Sequence, residues 1–377
     1  MFTIDKNDEI IFAMNIWDYN FNYNGKAILF NIFLFLFAIW KYKSLYTGNV
    51  KTKGNYKFLY LLLVVFATFA YGEADFYHYQ FHYDMMKHYN YESLAEPIYF
   101  WIAQNLPDNY FLWRFSIWGS AALLMIYSLK KIGVHASYAG LLMPIFFWCQ
   151  FSVTRGALGF CLIINALIYL FNNNNYIKKG LAVAALLASV FLHNSMMAFL
   201  LIIPIACLMP FNNKTIKISL IMFPFFYGIT ILITNNLIDL NILSIGTENL
   251  AEGYISKHNS ELNILGIAFD LLNFSGQLLM LYLSIKFILS KKKVVDKPII
   301  FLIKYGYILV YISFLFYWQG VSSFISSRFL HASTFPLIVV YSYYMQHHKI
   351  NKNDRVVMFL LGLYAFYKLL YAMYKWW

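Results

Sequence analysis

Glu73-Ala74-Asp75-Phe76-Tyr77-His78-Tyr79-Gln80-Phe81-His82-Tyr83-Asp84, running on to Glu96-Pro97, is the longest polar interruption in an otherwise oily chain. It decides the fold by contrast with its flanks. Residues 57–72 before it and 110–129 after it are almost wholly apolar. Runs of about 18 mostly apolar residues recur from end to end, and as helix that length crosses a hydrocarbon core of ~30 Å. The chain has 377 residues, 61% hydrophobic and 12% charged. An average soluble domain is about 25% charged and 45–50% apolar. A soluble fold cannot bury so many apolar runs, so the expected class is all-α: a polytopic integral membrane protein.

The net charge of +12 does not point to nucleic acid. Excess Lys collects in cytoplasmic loops of membrane proteins, and no basic stripe with stacking aromatics stands outside the spans. Cys149, Cys161 and Cys207 all sit in apolar runs and read as small hydrophobes rather than a disulfide frame or zinc site. Residues 1–24 carry acids early and lack a basic segment before an apolar core, so no cleavable signal peptide is expected there.

Hydropathy places about twelve spans (ten to twelve), near 27–42, 57–72, 110–129, 138–153, 156–171, 180–192, 196–211, 216–234, 264–289, 299–318, 329–345 and 356–374. All 377 residues then form one transmembrane domain. It carries a polar loop or re-entrant region over 73–109, with a short half-inserted helix at about 97–106, and a second polar loop over 235–262. The connections 41–57, 130–137, 172–179, 212–217, 286–304 and 346–355 hold 20 Lys and Arg, against 7 on the opposite side and 2 within spans. That bias puts the basic connections in the cytoplasm and both termini outside.

Orientation gathers the chemistry. Asp75, Glu96, Arg155, His193 and Arg328 come from five segments, and all fall at the extracytoplasmic end. Ionisable groups at membrane depth cost about 2.5–3.5 kcal/mol each on insertion scales and mark function by default. The bland reading, that each rests at a water interface, weakens when five share one side. Arg155 and Arg328 stand where apolar spans begin, with no acid nearby in sequence. Their forks suit a phosphate, while snorkelling to headgroups is the alternative. Arg114, one turn into its span, is a third candidate.

A glycosyl transfer needs a base for the acceptor hydroxyl and a means of stabilising the departing anion. Asp75 and Glu96 are the acids nearest to spans. Asp75, His78, Tyr79 and His82 share one face if their stretch is helical, and Glu96 before Pro97 fits a helix start. No third ligand joins His78 and His82, so no metal is expected. The tyrosines at 77, 79, 83, 89 and 91 fit an interfacial belt, with sugar stacking as the second reading. His193-Asn194-Ser195 breaks an apolar run and reads either as helix glue or as a contact to acceptor sugar or phosphate.

The order of these features resembles a family. Asp75-x-Tyr77 stands in the first outer loop, and Glu96-Pro97 comes before a span. Arg155 opens a Gly/Ala-rich span, Phe191-x-His193-x-Ser195 follows, and Arg328 is an outer arginine late in the chain. The pattern is similar to the EpsG-like branch of the Wzy-type polysaccharide polymerases, over about residues 27 to 345. One departure is Gly156, where relatives are expected to carry Gln, which leaves polar support of Arg155 to Gln150 or elsewhere.

The resemblance implies a GT-C-like multi-helical bundle in the bacterial inner membrane, with an extracytoplasmic active site and no cofactor. Its substrate would be an undecaprenyl-pyrophosphate-linked oligosaccharide. Repeat units would be joined into O-antigen, capsule or exopolysaccharide, with membrane lipid and a chain-length regulator protein as partners. Asp75, Glu96 and His193 take the catalytic roles in this reading. Arg155, Arg328 and Arg114 bind pyrophosphate, and Tyr77, His78, Asn194, Ser195 and Gln150 line the substrate. Two alternatives stay open on sequence: a side-branch glycosyltransferase using a polyprenyl-phosphate sugar, and a flippase. A flippase should spread charge along a lumen and show internal repeats; neither is visible.

Overall fold

Asn109 ends the polar region by capping a helix: extended at φ −158°, it accepts the Leu112 N–H on Oδ1 at 3.1 Å. The helix it starts, Tyr110–Lys131, closes on Lys130 and Lys131, whose charge suits a helix C-terminus. Gly133, at φ +68°, turns the chain while Val134 N–H reaches back to Leu129 O. The computed structural model describes residues 56–69, 76–90, 97–139, 154–172, 175–193, 195–239, 264–291, 295–317, 322–348 and 352–375, and the single positions 32, 36 and 40.

Those residues are 90% helical, with no strand among them. The helices are α1 Tyr56–Thr68, α2 Phe76–Tyr89, α3 Pro97–Asn105, α4 Tyr110–Lys131, α5 Thr154–Asn172, α6 Tyr176–Leu192, α7 Met196–Leu208, α8 Asn213–Ile221, α9 Phe223–Asp239, α10 Ile264–Lys291, α11 Lys297–Leu315, α12 Ser322–His347 and α13 Lys352–Lys375. By length and composition α4 and α11 are long and apolar enough to cross a membrane. A third crossing results if α8 and α9 are one span bent by 48°. The bend falls just before Pro224, which has no N–H for the Leu220 carbonyl. Four further apolar stretches are shorter: Tyr56–Thr68, Gly156–Asn172, Met196–Leu208 and Phe274–Ser290. The twelve-span count therefore reaches the structure only as an all-helical membrane protein. Most of the first expected span and most of the fourth lie outside the described residues.

α5 is the hub. It packs on α4, α6, α7, α11 and α12, and from Gly156 to Ile168 nearly every side chain is buried. Small residues allow this approach: a Cβ on Gly159 would meet Met196 Sδ of α7 at 3.0 Å. α11 and α12 form the closest pair, and α10 joins both and holds α13. α1 leans on α4, and the α2–α3 hairpin sits over α4 and α6.

Hydrogen bonds and ring contacts sort the helix ends into two sets. At one end Gln346 receives the His135 N–H and donates to Gly133 O, Asn172 donates to Lys131 O, and Lys304 donates to Met209 O. Phe171 stacks on Phe301, and Asp354 binds His348 at 2.9 Å with Lys286 at 4.0 Å. At the other end Arg328 meets His193, Thr230 donates to Leu315 O, and Tyr227 donates to Tyr317 O. Each pair joins ends expected on one side, so the Lys-rich connections that are described share a single end. The pairing gives the two ends, not the side of the membrane each faces.

Candidate functional site

α12 starts earlier than hydropathy suggests. Ser322, Ser323, Ser326 and Ser327 read as a loop, yet the helix already includes them. Ser326 is buried and exchanges hydrogen bonds with Ser313 of α11: Ser313 Oγ donates to Ser326 O at 2.7 Å, and Ser326 Oγ donates to Ser313 O at 2.8 Å. This pairing satisfies the polar start inside the bundle. Arg328 therefore lies in the second turn of α12 rather than at its mouth, with its side chain half-buried.

The α6–α7 turn carries its partner. His193 ends α6 in extended conformation, its N–H on Ser189 O at 3.2 Å, and its own carbonyl accepts the Met196 N–H at 2.8 Å. This tight reversal turns the imidazole toward α12, where Arg328 Nη1 lies 3.1 Å from His193 Nε2 across 135 residues of sequence. Ser195, in the same turn, has a buried Oγ with no hydrogen-bond partner among the described residues.

A floor of phenylalanines fixes the three segments. Phe160 of α5 meets Phe199 of α7 edge-on at 4.9 Å and Phe335 of α12 at 5.1 Å. Phe199 meets Phe329 of α12 at 5.2 Å. Each such pair adds about 0.5–1.5 kcal/mol beyond burial. Phe160 follows Arg155 by five positions, Phe199 follows His193 by six, and Phe329 follows Arg328 directly. The ring cluster therefore joins α5, which carries Arg155, to α7, which follows the His193 turn, and to α12, which carries Arg328. Arg155 is helical, but its side chain is outside the described residues, as are those of Tyr77 and His78. Asp75, Glu96, Gln150 and Asn194 lie outside them altogether.

Arg114 is placed differently. It is fully buried, with Nη2 donating to Ala67 O at 2.8 Å and Nη1 to Tyr110 OH at 3.2 Å. Ala67 is in the last turn of α1, whose final carbonyls have no intrahelical donors. A cation there is favoured by the helix dipole. Phe69 stacking on Phe111 at 4.9 Å closes the same joint. Arg114 thus ties down the point from which the chain runs to Asp75.

The polar stretch forms a locked corner. Helix α2 turns Tyr79, Tyr83 and Met86 inward, so Tyr79 and Tyr83 are core residues, not belt or sugar platform. Tyr89, 71% exposed, keeps both readings open. Lys87 Nζ caps α3 through the carbonyls of Ala103, Gln104 and Leu106 at 3.1, 3.4 and 2.7 Å. Tyr83 OH accepts the Asn109 N–H at 2.8 Å and is pushed up to about 12 in pKa, chiefly by burial. Burial also raises Asp84; Asp108 adds to the rise and His88 opposes it. His88 and Asp108 pair at 3.5 Å. Among the described residues no three His, Cys, Asp or Glu converge to hold a metal.

Sequence reasoning missed the serine pair under Arg328, the lysine cap at Lys87 and the phenylalanine floor. Only the last left a trace, as a Phe one to six positions after each polar residue. A sequence model of the EpsG family matches residues 55–377. No curated protein and no solved structure gives a match.

Proposed function

Because the chain belongs to the EpsG family, a membrane family of polysaccharide biosynthesis associated with polymerases, we propose that it joins undecaprenyl-pyrophosphate-linked repeat units outside the bacterial inner membrane. The observation that carries this reading is the Arg328–His193 contact. It sets an arginine and a histidine from distant segments together at the helix ends opposite the Lys-rich connections.

The growing chain on its lipid pyrophosphate is the donor. The C–O bond between its reducing sugar and the pyrophosphate breaks, and a new C–O bond forms to a hydroxyl at the non-reducing end of the next lipid-linked unit. The hydroxyl proton passes to a carboxylate, Asp75 or Glu96, and undecaprenyl pyrophosphate leaves. Arg155 and Arg328 clamp the pyrophosphate and stabilise the charge it gains, the largest single contribution expected. Tyr77, His78, Gln150, Asn194 and Ser195 contact the substrate. The bundle crosses about twelve times with both termini outside, in an architecture of the GT-C kind.

The test is the surface-glycan length profile of cells carrying Arg155→Lys or Arg328→Lys. Lys keeps the charge and loses the two-pronged donor. The expected result is collapse of the ladder to a single repeat unit in both strains. Full-length ladders in both would remove the clamp, and an unbroken ladder lacking one sugar would replace polymerase with branch transferase.

A further inference from the structure

Arg328 and His193 constrain each other's chemistry. A guanidinium has five N–H donors, no acceptor, and a charge it does not lose in proteins. With Arg328 Nη1 at 3.1 Å from His193 Nε2, the imidazole receives the hydrogen bond on the Nε2 lone pair. The ring is then neutral with its hydrogen on Nδ1. A cationic ring, or the other tautomer, would aim N–H at N–H across the same gap. The backbone holds the ring in place: the His193 N–H is anchored on Ser189 O and its carbonyl on the Met196 N–H.

A neutral imidazole has one basic lone pair. Here it is engaged by the guanidinium and is not presented to a sugar hydroxyl. We propose that His193 is a positioning residue that holds the Arg328 fork toward the pyrophosphate, and that it does not take the acceptor proton. It receives one Arg328 N–H at Nε2 and so fixes the plane of the guanidinium. The base is then a carboxylate. This inference rests on the polymerase reading only for what Arg328 binds; the state of the ring follows from the contact itself.

Two measurements test it. The first is solid-state nitrogen NMR of the full-length protein, labelled at histidine nitrogens, in lipid bilayers at alkaline pH. The His193 signals are identified by their loss in His193→Gln. A neutral ring protonated on Nδ1 is expected; a ring protonated on Nε2, or a cationic ring, overturns the proposal. The second compares polymer output of His193→Gln with His193→Ala, each checked for folding by its melting curve. Gln can accept the Arg328 N–H but cannot act as a base.

Gln should keep output within about threefold of the parent, and Ala should lose about 10- to 100-fold, the loss expected for a hydrogen bond to a charged group. A folded Gln variant as inactive as Ala makes His193 the base and sinks the proposal, as does full output from both. If the parent protein shows the expected tautomer yet makes no polymer, the polymerase reading falls and the arginine–histidine assignment stands.

Discussion

Replacing Arg114 separates a helix cap from a substrate ligand. Both Arg114 and Ala67 are fully buried, and the guanidinium supplies the Ala67 carbonyl at 2.8 Å and Tyr110 OH at 3.2 Å. Arg114→Met keeps most of the stem packing and removes both donors. A buried carbonyl left without a donor costs about 1–3 kcal/mol, so a loss of that size is expected. Arg114→Ala also deletes the stem, at about 0.8 kcal/mol per buried methylene, for a total of about 3–5 kcal/mol. Lys keeps one donor and should fall between parent and Met. The assay is chemical unfolding of the detergent-solubilised protein beside polymer output. If Arg114→Met unfolds like the parent but makes no polymer, Arg114 is a ligand and the capping argument is wrong.

Three further substitutions test the packing and the electrostatics. Burial raises the Asp84 pKa, so the fold resists its charge; that penalty is absent below the unfolded value, grows as pH rises above it and is complete once pH has passed the folded value. Asp84→Asn should therefore melt higher than the parent at neutral pH and equally at about pH 3, below the usual carboxylate range; an equal or lower melting point at neutral pH contradicts this. Gly276→Ala places a Cβ 2.3 Å from the buried Tyr364 ring and should cost about 1–3 kcal/mol by overpacking the α10–α13 contact. Gly119→Ala meets nothing within 4 Å and should be neutral or stabilise by about 0.5–1 kcal/mol. Equal unfolding curves for the two glycine variants would show that α10 and α13 are not packed as described.

Apolar runs made the helices legible in sequence. They bury on one face here as they would in any bundle, and α3 starts at Pro97 and ends at Asn105 close to its expected bounds. What hydropathy could not read was where polar residues sit inside. The serines before Arg328 look like loop until Ser313, contributed by α11, is seen to satisfy Ser326. Nothing in the α4 sequence tells that Arg114 Nη2 donates to the Ala67 carbonyl of α1. Tyr79 and Tyr83 look like belt residues because a tyrosine at a water interface and one in a core have the same composition signal; only the rotation of α2 distinguishes them. The bend at Met222 was foreshadowed by Pro224, but a single hydropathy window averages across it. The meeting of His193 with Arg328 could be anticipated only as a shared side, since no pattern within either segment encodes a contact made across the bundle.

The most direct measurement uses the purified full-length chain in proteoliposomes with a synthetic undecaprenyl-pyrophosphate repeat unit and no nucleotide sugar. The account predicts products stepped by one repeat unit, with one undecaprenyl pyrophosphate released per linkage and both lost in Arg328→Lys. Repeat units that stay monomeric while the lipid carrier is retained, with a folded protein present, would contradict it.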